Sequence, residues 1–274
     1  MSKYSIEDWL TLGERALKKT AERPRREAEI LLSCVLNKDR LYLITHLDEM
    51  TYAPDFDQLL MRRGTNEPIE YITSSVSFFS QEFFIAQGAL IPRPETEILI
   101  EKLLEKVDAN TQEQIVEVGV GSGVISIVLA QHLLEAKFIA SDISVDAIKI
   151  AKINIMRKEM VKRINVVHTD LLEGIDEKID ILVSNPPYIE NGIVLGENLS
   201  YEPQNALYGG TIGDEILRRL IDEAFSRDVR LLACEMGYDQ KAKIEAYLEG
   251  KDFVSLEFYK DYSDHDRGFI LELR

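Results

Sequence analysis

Glu117-Val118-Gly119-Val120-Gly121-Ser122-Gly123 ends one apolar run, Gln114–Val118, and opens another, Gly123–Leu134. The first run is short and rich in β-formers, and the second sustains apolar residues over helical length. The stretch therefore reads as strand, glycine loop, helix. Glycines at 119, 121 and 123 let the backbone turn sharply and approach a ligand without Cβ clashes. The spacing is G-x-G-x-G, not the G-x-G-x-x-G that cradles a pyrophosphate. The same alternation continues outward. Strands are predicted at Lys137–Ser141, Asn165–His168, Ile179–Ser184, Val229–Glu235, Phe253–Tyr259 and Gly268–Leu273. Helices are predicted at Glu95–Lys106, Val145–Lys158, Asp214–Ala224 and Gln240–Leu248. Such alternation implies an α/β fold whose seven-stranded, mostly parallel sheet is covered on both faces. No helix signal separates the last two strands, so they are expected to pair antiparallel, a departure from a plain dinucleotide-binding fold.

The N-terminal part reads differently. Up to about residue 75 the pattern is helices only, with apolar residues at helical spacing in Ile6, Trp9, Leu10, Gly13 and Leu17, then Ala28, Leu31, Leu32 and Val35. Pro24 suits a helix start, and further helices are expected at Arg40–His46 and Pro54–Arg63. Four short helices predict a small bundle. Ser74–Ser80 and Gln81–Ile85 suit a hairpin. The organisation expected is a helical unit over 1–75, a hairpin linker over 76–93 and the α/β domain over 94–274.

With 274 residues, 45% hydrophobic and 29% charged, the composition is that of an ordinary globular protein. No run approaches the ~18 apolar residues of a membrane span. Met1–Leu10 lacks the layout of a secretory signal, which predicts a cytoplasmic protein. Cys34 and Cys234 suggest no disulfide framework, and both sit in apolar runs where a buried thiol is expected. The four histidines lack metal-ligand spacing, so no metal is expected. The net charge is −16; residues 1–75 carry 11 basic and 13 acidic side chains, the rest 21 and 35. An acidic domain binds phosphates against its own field, which disfavours a nucleic-acid partner.

Asp142 ends the strand after the glycine loop. A carboxylate there can accept hydrogen bonds from both ribose hydroxyls, a requirement shared by NAD and S-adenosylmethionine. Glu117 before the glycines suits a cationic ligand and would repel phosphates. Asp170, after the third strand, is placed to meet an adenine edge, and Leu171 to cover its face. The plainer alternative is a tight turn with Asp142 capping the next helix and Asp170 in a turn.

Val183-Ser184-Asn185-Pro186-Pro187-Tyr188-Ile189 ends the fourth strand over the same crevice. Two prolines stiffen the chain and donate no backbone hydrogen bonds. The Asn185 side-chain carbonyl and the Pro186 carbonyl are two acceptors. Together they can hold both N–H bonds of a carboxamide or exocyclic amine and favour charge developing on its nitrogen. Tyr188 can lie against a planar group. A strand-ending Pro-Pro turn is the alternative.

These residues resemble the amino methyltransferases, which act on adenine, cytosine or glutamine nitrogens. With Leu90-Ile91-Pro92-Arg93-Pro94-Glu95-Thr96-Glu97, the chain is similar to the HemK/PrmC family. Arg25–Leu32, Glu67–Ile72, Tyr201–Leu207 and Asp264–Arg267 extend the likeness in order along nearly the whole chain. The resemblance implies a Rossmann-like class I methyltransferase sheet with an antiparallel last strand, plus a small N-terminal helical bundle. It implies methylation of the glutamine of the Gly-Gly-Gln loop of peptide chain release factors, with S-adenosylmethionine as donor. Gly119, Val120, Gly121, Ser122, Gly123, Asp142, Asp170, Leu171 and Asn185 would bind the donor. Asn185, Pro186, Pro187 and Tyr188 would hold the glutamine, with Asn185, Pro186 and Tyr188 carrying catalysis. Residues 1–75 would dock the release factor to a monomeric enzyme. Arg93 and Glu95 could brace the site or simply start a helix. The long stretch Glu190–Gly213 lacks periodicity and is expected to close over the substrate. An adenine methyltransferase acting on DNA or RNA is the first rival; a donor-binding module without catalysis and an NAD-dependent dehydrogenase follow.

Overall fold

A computed structural model describes residues 3–274. They form two compact units, one reaching to Ser75 and including Gly196–Tyr201, the other comprising Val76–Leu195 and Glu202–Arg274.

In the first unit, β1 (Tyr4–Ser5) leads into α1 (Ile6–Leu17), followed by α2 (Pro24–Leu36) and α3 (Arg40–Thr45). The chain continues through β2 (Met50–Thr51), α4 (Phe56–Gly64) and α5 (Ile69–Thr73). A capping box starts α1: the Ser5 hydroxyl accepts from the Asp8 amide at 3.0 Å, and the Asp8 carboxylate accepts from the Ser5 amide at 3.2 Å. Ile6, Leu10, Leu17, Leu31, Leu32 and Phe56 are fully buried in this unit's own core. A Cβ built on Gly13 would lie 2.7 Å from the Ala28 Cβ and 2.9 Å from the Phe56 ring, so α1, α2 and α4 meet at a residue that must be small. Two expectations are corrected here. The unit is not helices only, because β1 and β2 pair antiparallel; two-residue strands are too short to show an alternation. Cys34 is exposed, since the spacing of Ala28, Leu31 and Leu32 turns the core face of α2 away from position 34.

β3 (Ser75–Phe78), whose first residue is the last of the N-terminal stretch of the first unit, and β4 (Gln81–Phe84) form a hairpin that opens the second unit. It is stitched to the rest: the Phe84 amide donates to Asn154 Oδ1, and Asn154 Nδ2 donates to the Phe84 carbonyl, both at 2.8 Å. Then come α6 (Glu95–Leu104), β5 (Gln114–Val118), α7 (Val124–His132), β6 (Lys137–Asp142), α8 (Val145–Arg157), β7 (Ile164–His168) and β8 (Ile181–Ser184). After β8 the chain forms β9 (Ile189–Glu190), two short 3₁₀ turns, β10 (Tyr208–Gly210) and α9 (Glu215–Ser226). It closes with β11 (Leu231–Glu235), α10 (Lys241–Leu248), β12 (Ser255–Lys260) and β13 (Asp266–Glu272).

The seven-stranded sheet runs β12-β13-β11-β8-β5-β6-β7. β5, β6, β7, β8 and β11 pair parallel, and the last strand, β13, is antiparallel to both β11 and β12. This is the class I methyltransferase sheet. Its middle strands are buried on both faces and largely apolar because helices cover both, Glu117, Ser184 and Glu235 at their carboxyl ends being the buried polar exceptions. Strand order reverses beside β5, where β6 lies on one side and β8 on the other, and the crevice outside the carboxyl ends of these strands is the natural ligand position. No helix among the described residues is long and apolar enough to cross a membrane.

Candidate active site

A cavity of about 310 Å³ opens at those strand ends, within the ~300–1,000 Å³ of small-ligand pockets. Gly119 and Gly121 of the glycine loop line it; Gly123, also expected to contact the donor, is not among the lining residues, and a Cβ on it would meet Ala151 of α8 at 3.4 Å. Gly119, Gly121 and Gly123 have φ of +76°, +53° and +85°, a region costly for residues with a Cβ. A Cβ on Gly119 or Gly121 would meet only backbone oxygens, at 4.0 and 3.9 Å. Packing therefore does not demand glycine at these two positions; turn geometry and clear space above the backbone do. The amides of Gly119 and Val120 donate to the Ser141 carbonyl at 2.8 and 2.9 Å, tying the loop to β6.

Asp142 lines the cavity, accepting from the Gly121 amide at 2.9 Å through Oδ2 and from the Ser144 amide at 2.8 Å through Oδ1. The expected alternative, Asp142 as helix cap, does not hold, because Ser144 is the N-cap of α8. Burial raises the Asp142 pKa, and these amides oppose the rise. Glu117 also lines the cavity; its Oε2 accepts from both the amide and the hydroxyl of Ser126. Burial pushes its pKa up to about 8. Val120 and Ser122 join the lining, as do Asp170 and Leu171 at the end of β7. Asp170 pairs at 2.9 Å with Arg219 of α9, itself on the cavity wall.

Asn185, Pro186 and Pro187 form the opposite wall. Asn185 Nδ2 donates to Thr96 Oγ1 at 3.0 Å, and that hydroxyl donates to Glu235 Oε2 at 2.8 Å. With its nitrogen committed to Thr96, the amide turns its oxygen the other way. Tyr188 is set apart from the residues lining the cavity: its hydroxyl donates to Glu235 Oε1 at 3.3 Å, and its carbonyl accepts from Gln240 at 3.1 Å. The hydroxyl draws the side chain towards a buried carboxylate, and burial raises the Tyr188 pKa.

The stretch Glu190–Gly213 is not the irregular loop expected. β9 and β10 form a short parallel pair within it, and Pro203, Asn205, Ala206 and Tyr208 line the cavity. Glu202 anchors that part, accepting from the Ile91 amide at 3.0 Å and from Arg93 at 2.5 Å. Arg93 is thus a brace for this segment. Thr96, Glu235 and Arg219 were missed by sequence reasoning. Thr96 stood inside a quoted motif, and Glu235 is a carboxylate in a strand otherwise wholly apolar, a readable anomaly. Arg219 lies on an amphipathic helix with nothing to mark it.

Residues 94–203 match the methyltransferase small domain model and residues 8–73 the PrmC N-terminal domain model. The chain is 37% identical over 275 residues to a release factor glutamine methyltransferase of Clostridium acetobutylicum, covering 96% of each protein. It is 33% identical over 269 residues to one from Buchnera aphidicola subsp. Baizongia pistaciae, covering 96% of this chain and 97% of that one. Among solved structures, the N-terminal domain of human METTL16 in complex with SAH is similar in fold, with a TM-score of 0.53 at 16% identity, covering 98% of this chain and 94% of that one.

Proposed function

The chain belongs to the release factor glutamine methyltransferase family, and from that premise we propose that it moves a methyl group from S-adenosylmethionine to the side-chain amide nitrogen of the glutamine in the Gly-Gly-Gln motif of peptide chain release factors. The residues present fit that donor. Asp142 would accept from the ribose hydroxyls, Asp170 would meet the adenine edge and Leu171 would cover its face, all three being cavity-lining residues. Glu117 would balance the cationic amino acid end, and Gly119 and Gly121 leave the space above the backbone clear. When bound, the donor supplies an electrophilic methyl on a positively charged sulfur.

The carrying observation is the Asn185 amide, fixed by Thr96 on the wall of the same cavity. A glutamine amide nitrogen is a poor nucleophile because its lone pair is delocalised. Asn185 Oδ1 and the Pro186 carbonyl accept its two hydrogens, orient the nitrogen and favour positive charge on it during transfer. One N–C bond forms, one S–C bond breaks, and the nitrogen releases a proton to solvent. Pro186 and Pro187 hold the wall without competing donors. Tyr188 braces Glu235, and residues 1–75 recognise the protein substrate. On this reading the enzyme is a cytoplasmic monomer that needs no metal.

The test is incubation with labelled donor and either a release factor or DNA and RNA, followed by peptide mass spectrometry. The expected result is one added methyl on one glutamine. Label found on nucleic acid alone would overturn the reading in favour of an adenine methyltransferase.

A further inference from the structure

We propose that Glu235 is a positioning residue which, through Thr96, keeps the Asn185 amide oxygen turned towards the substrate nitrogen, and that protonation of Glu235 releases this control. The inference rests on the reading of Asn185 given above and deepens it.

The argument is one of hydrogen-bond polarity. A threonine hydroxyl has a single hydrogen. An ionised Glu235 can only accept, so the Thr96 hydrogen is committed to Oε2 at 2.8 Å. The Thr96 oxygen must then accept from its other neighbour, which at 3.0 Å is Asn185. Only Nδ2 of that amide can donate, so Oδ1 is left as the acceptor on the cavity side. If Glu235 carries a proton, or becomes an amide, it can donate to Thr96. The Thr96 hydrogen is then free to bond Asn185 Oδ1, the amide turns over, and an NH₂ group faces the substrate NH₂.

The surroundings make that proton exchange accessible. Glu235 is 1% exposed, and burial raises its pKa to about 7, opposed by Thr96, by the Arg267 guanidinium and by Tyr188. Glu95 adds a weaker upward push. Tyr259 and Cys234 are further titratable neighbours; the Tyr259 pKa is raised chiefly by burial and secondarily by the Glu235 charge, and burial raises that of Cys234. Arg267 is held in turn by Asp261 at 2.8 Å. The carboxylate is therefore clamped by hydroxyls on both oxygens and backed by one cation.

Two readouts test this on the full chain. The first needs no substrate. The Asn185 side-chain amide resonance, identified by its loss in Asn185→Ala, is expected to titrate with a midpoint near pH 7. Thr96→Val and Glu235→Gln are expected to abolish that titration. An Asn185 resonance indifferent to pH and to Thr96→Val would overturn the relay. The second readout is turnover. Log kcat on the release factor should fall with unit slope below about pH 7, as for one essential ionisation. Glu235→Gln and Thr96→Val should each lower kcat about 10- to 100-fold and erase the limb. Donor affinity by calorimetry should stay within about threefold, which also shows that the fold persists, and Thr96→Ser should restore kcat. Variants that keep wild-type kcat and the same limb would refute the proposal. A wild type that methylates no release factor would remove the functional reading alone, since the resonance still decides the relay.

Discussion

Asn185 and Glu117 face the same cavity, and their chemistries separate two steps. Asn185→Ala removes the acceptor for the substrate nitrogen while leaving the glycine loop and Asp142 intact. It should lower kcat at least 100-fold and retain part of the donor affinity, as single-turnover kinetics and calorimetry will show. Wild-type turnover in this variant would mean that the amide clamp is wrong. On the proposed reading Glu117 acts on donor binding instead. Its pKa of about 8 keeps it mostly protonated at pH 7 in the free protein, and a cationic donor beside it favours the anion. Donor binding at pH 7 should therefore release up to one proton, and affinity should rise with pH until about 8. Calorimetry in buffers of different ionisation heat measures that proton, and Glu117→Gln should abolish it. The sign for folding is the reverse of a paired carboxylate. Glu117 ionises near 4.5 when unfolded and near 8 when folded, so from about pH 4.5 to 8 the folded state holds the extra proton and loses stability as pH rises. No buffer dependence of the binding heat would place Glu117 away from the donor's charge.

Glycine has two different uses in the elements, and one substitution distinguishes them. Gly13→Ala drives a methyl into the Ala28 and Phe56 side chains, where a Cβ would come within 2.7 and 2.9 Å. It should cost about 1–3 kcal/mol, read as a lower denaturant midpoint with donor affinity unchanged. Gly119→Ala meets no side chain but needs φ of +76°. It should cost about 1–2 kcal/mol and weaken donor binding as well, because its methyl enters the cavity. Equal donor affinity in both variants would contradict the role given to the loop. The sequence showed the second use and not the first, since Gly119 lies in a punctuated motif whereas Gly13 looks like any helical position. The same contrast runs through the fold. The central sheet strands were legible because burial on both faces leaves largely apolar runs, and β13 was legible because no helix precedes it. β1, β2, β9 and β10 are two or three residues long and carry no period, and α5 is a five-residue helix following Pro68. In the site, Asn185, Asp142 and the glycines announced themselves by spacing. Thr96, Glu235 and Arg219 act through contacts across 49 to 139 residues of chain, and pairwise proximity of that kind has no local pattern.

At the scale of the molecule, charge and core are divided along the same line. Residues 1–75 carry nearly balanced charge and their own buried cluster, whereas the strongly acidic remainder surrounds the sheet core. Separate cores imply that the larger unit keeps its fold and its donor cavity without the smaller one. The smaller unit, by contrast, includes Gly196–Tyr201, where Tyr201 bonds the Thr65 carbonyl at 2.8 Å and Glu197 accepts from Asn66 at 2.6 Å. Deleting residues 1–75 should leave donor affinity within about threefold while raising KM for the release factor by about tenfold or more. That deletion also strips 196–201 of its partners, so a second variant is needed to assign the effect. Asn66→Ala combined with Tyr201→Phe in the full chain removes both anchors and keeps the helical unit. If recognition belongs to the helices, this double variant should keep KM near wild type and show only faster proteolysis within 196–201. A KM rise matching that of the deletion would transfer recognition to the anchored segment, and equal loss of donor and substrate binding on deletion would mean that the two units do not fold independently.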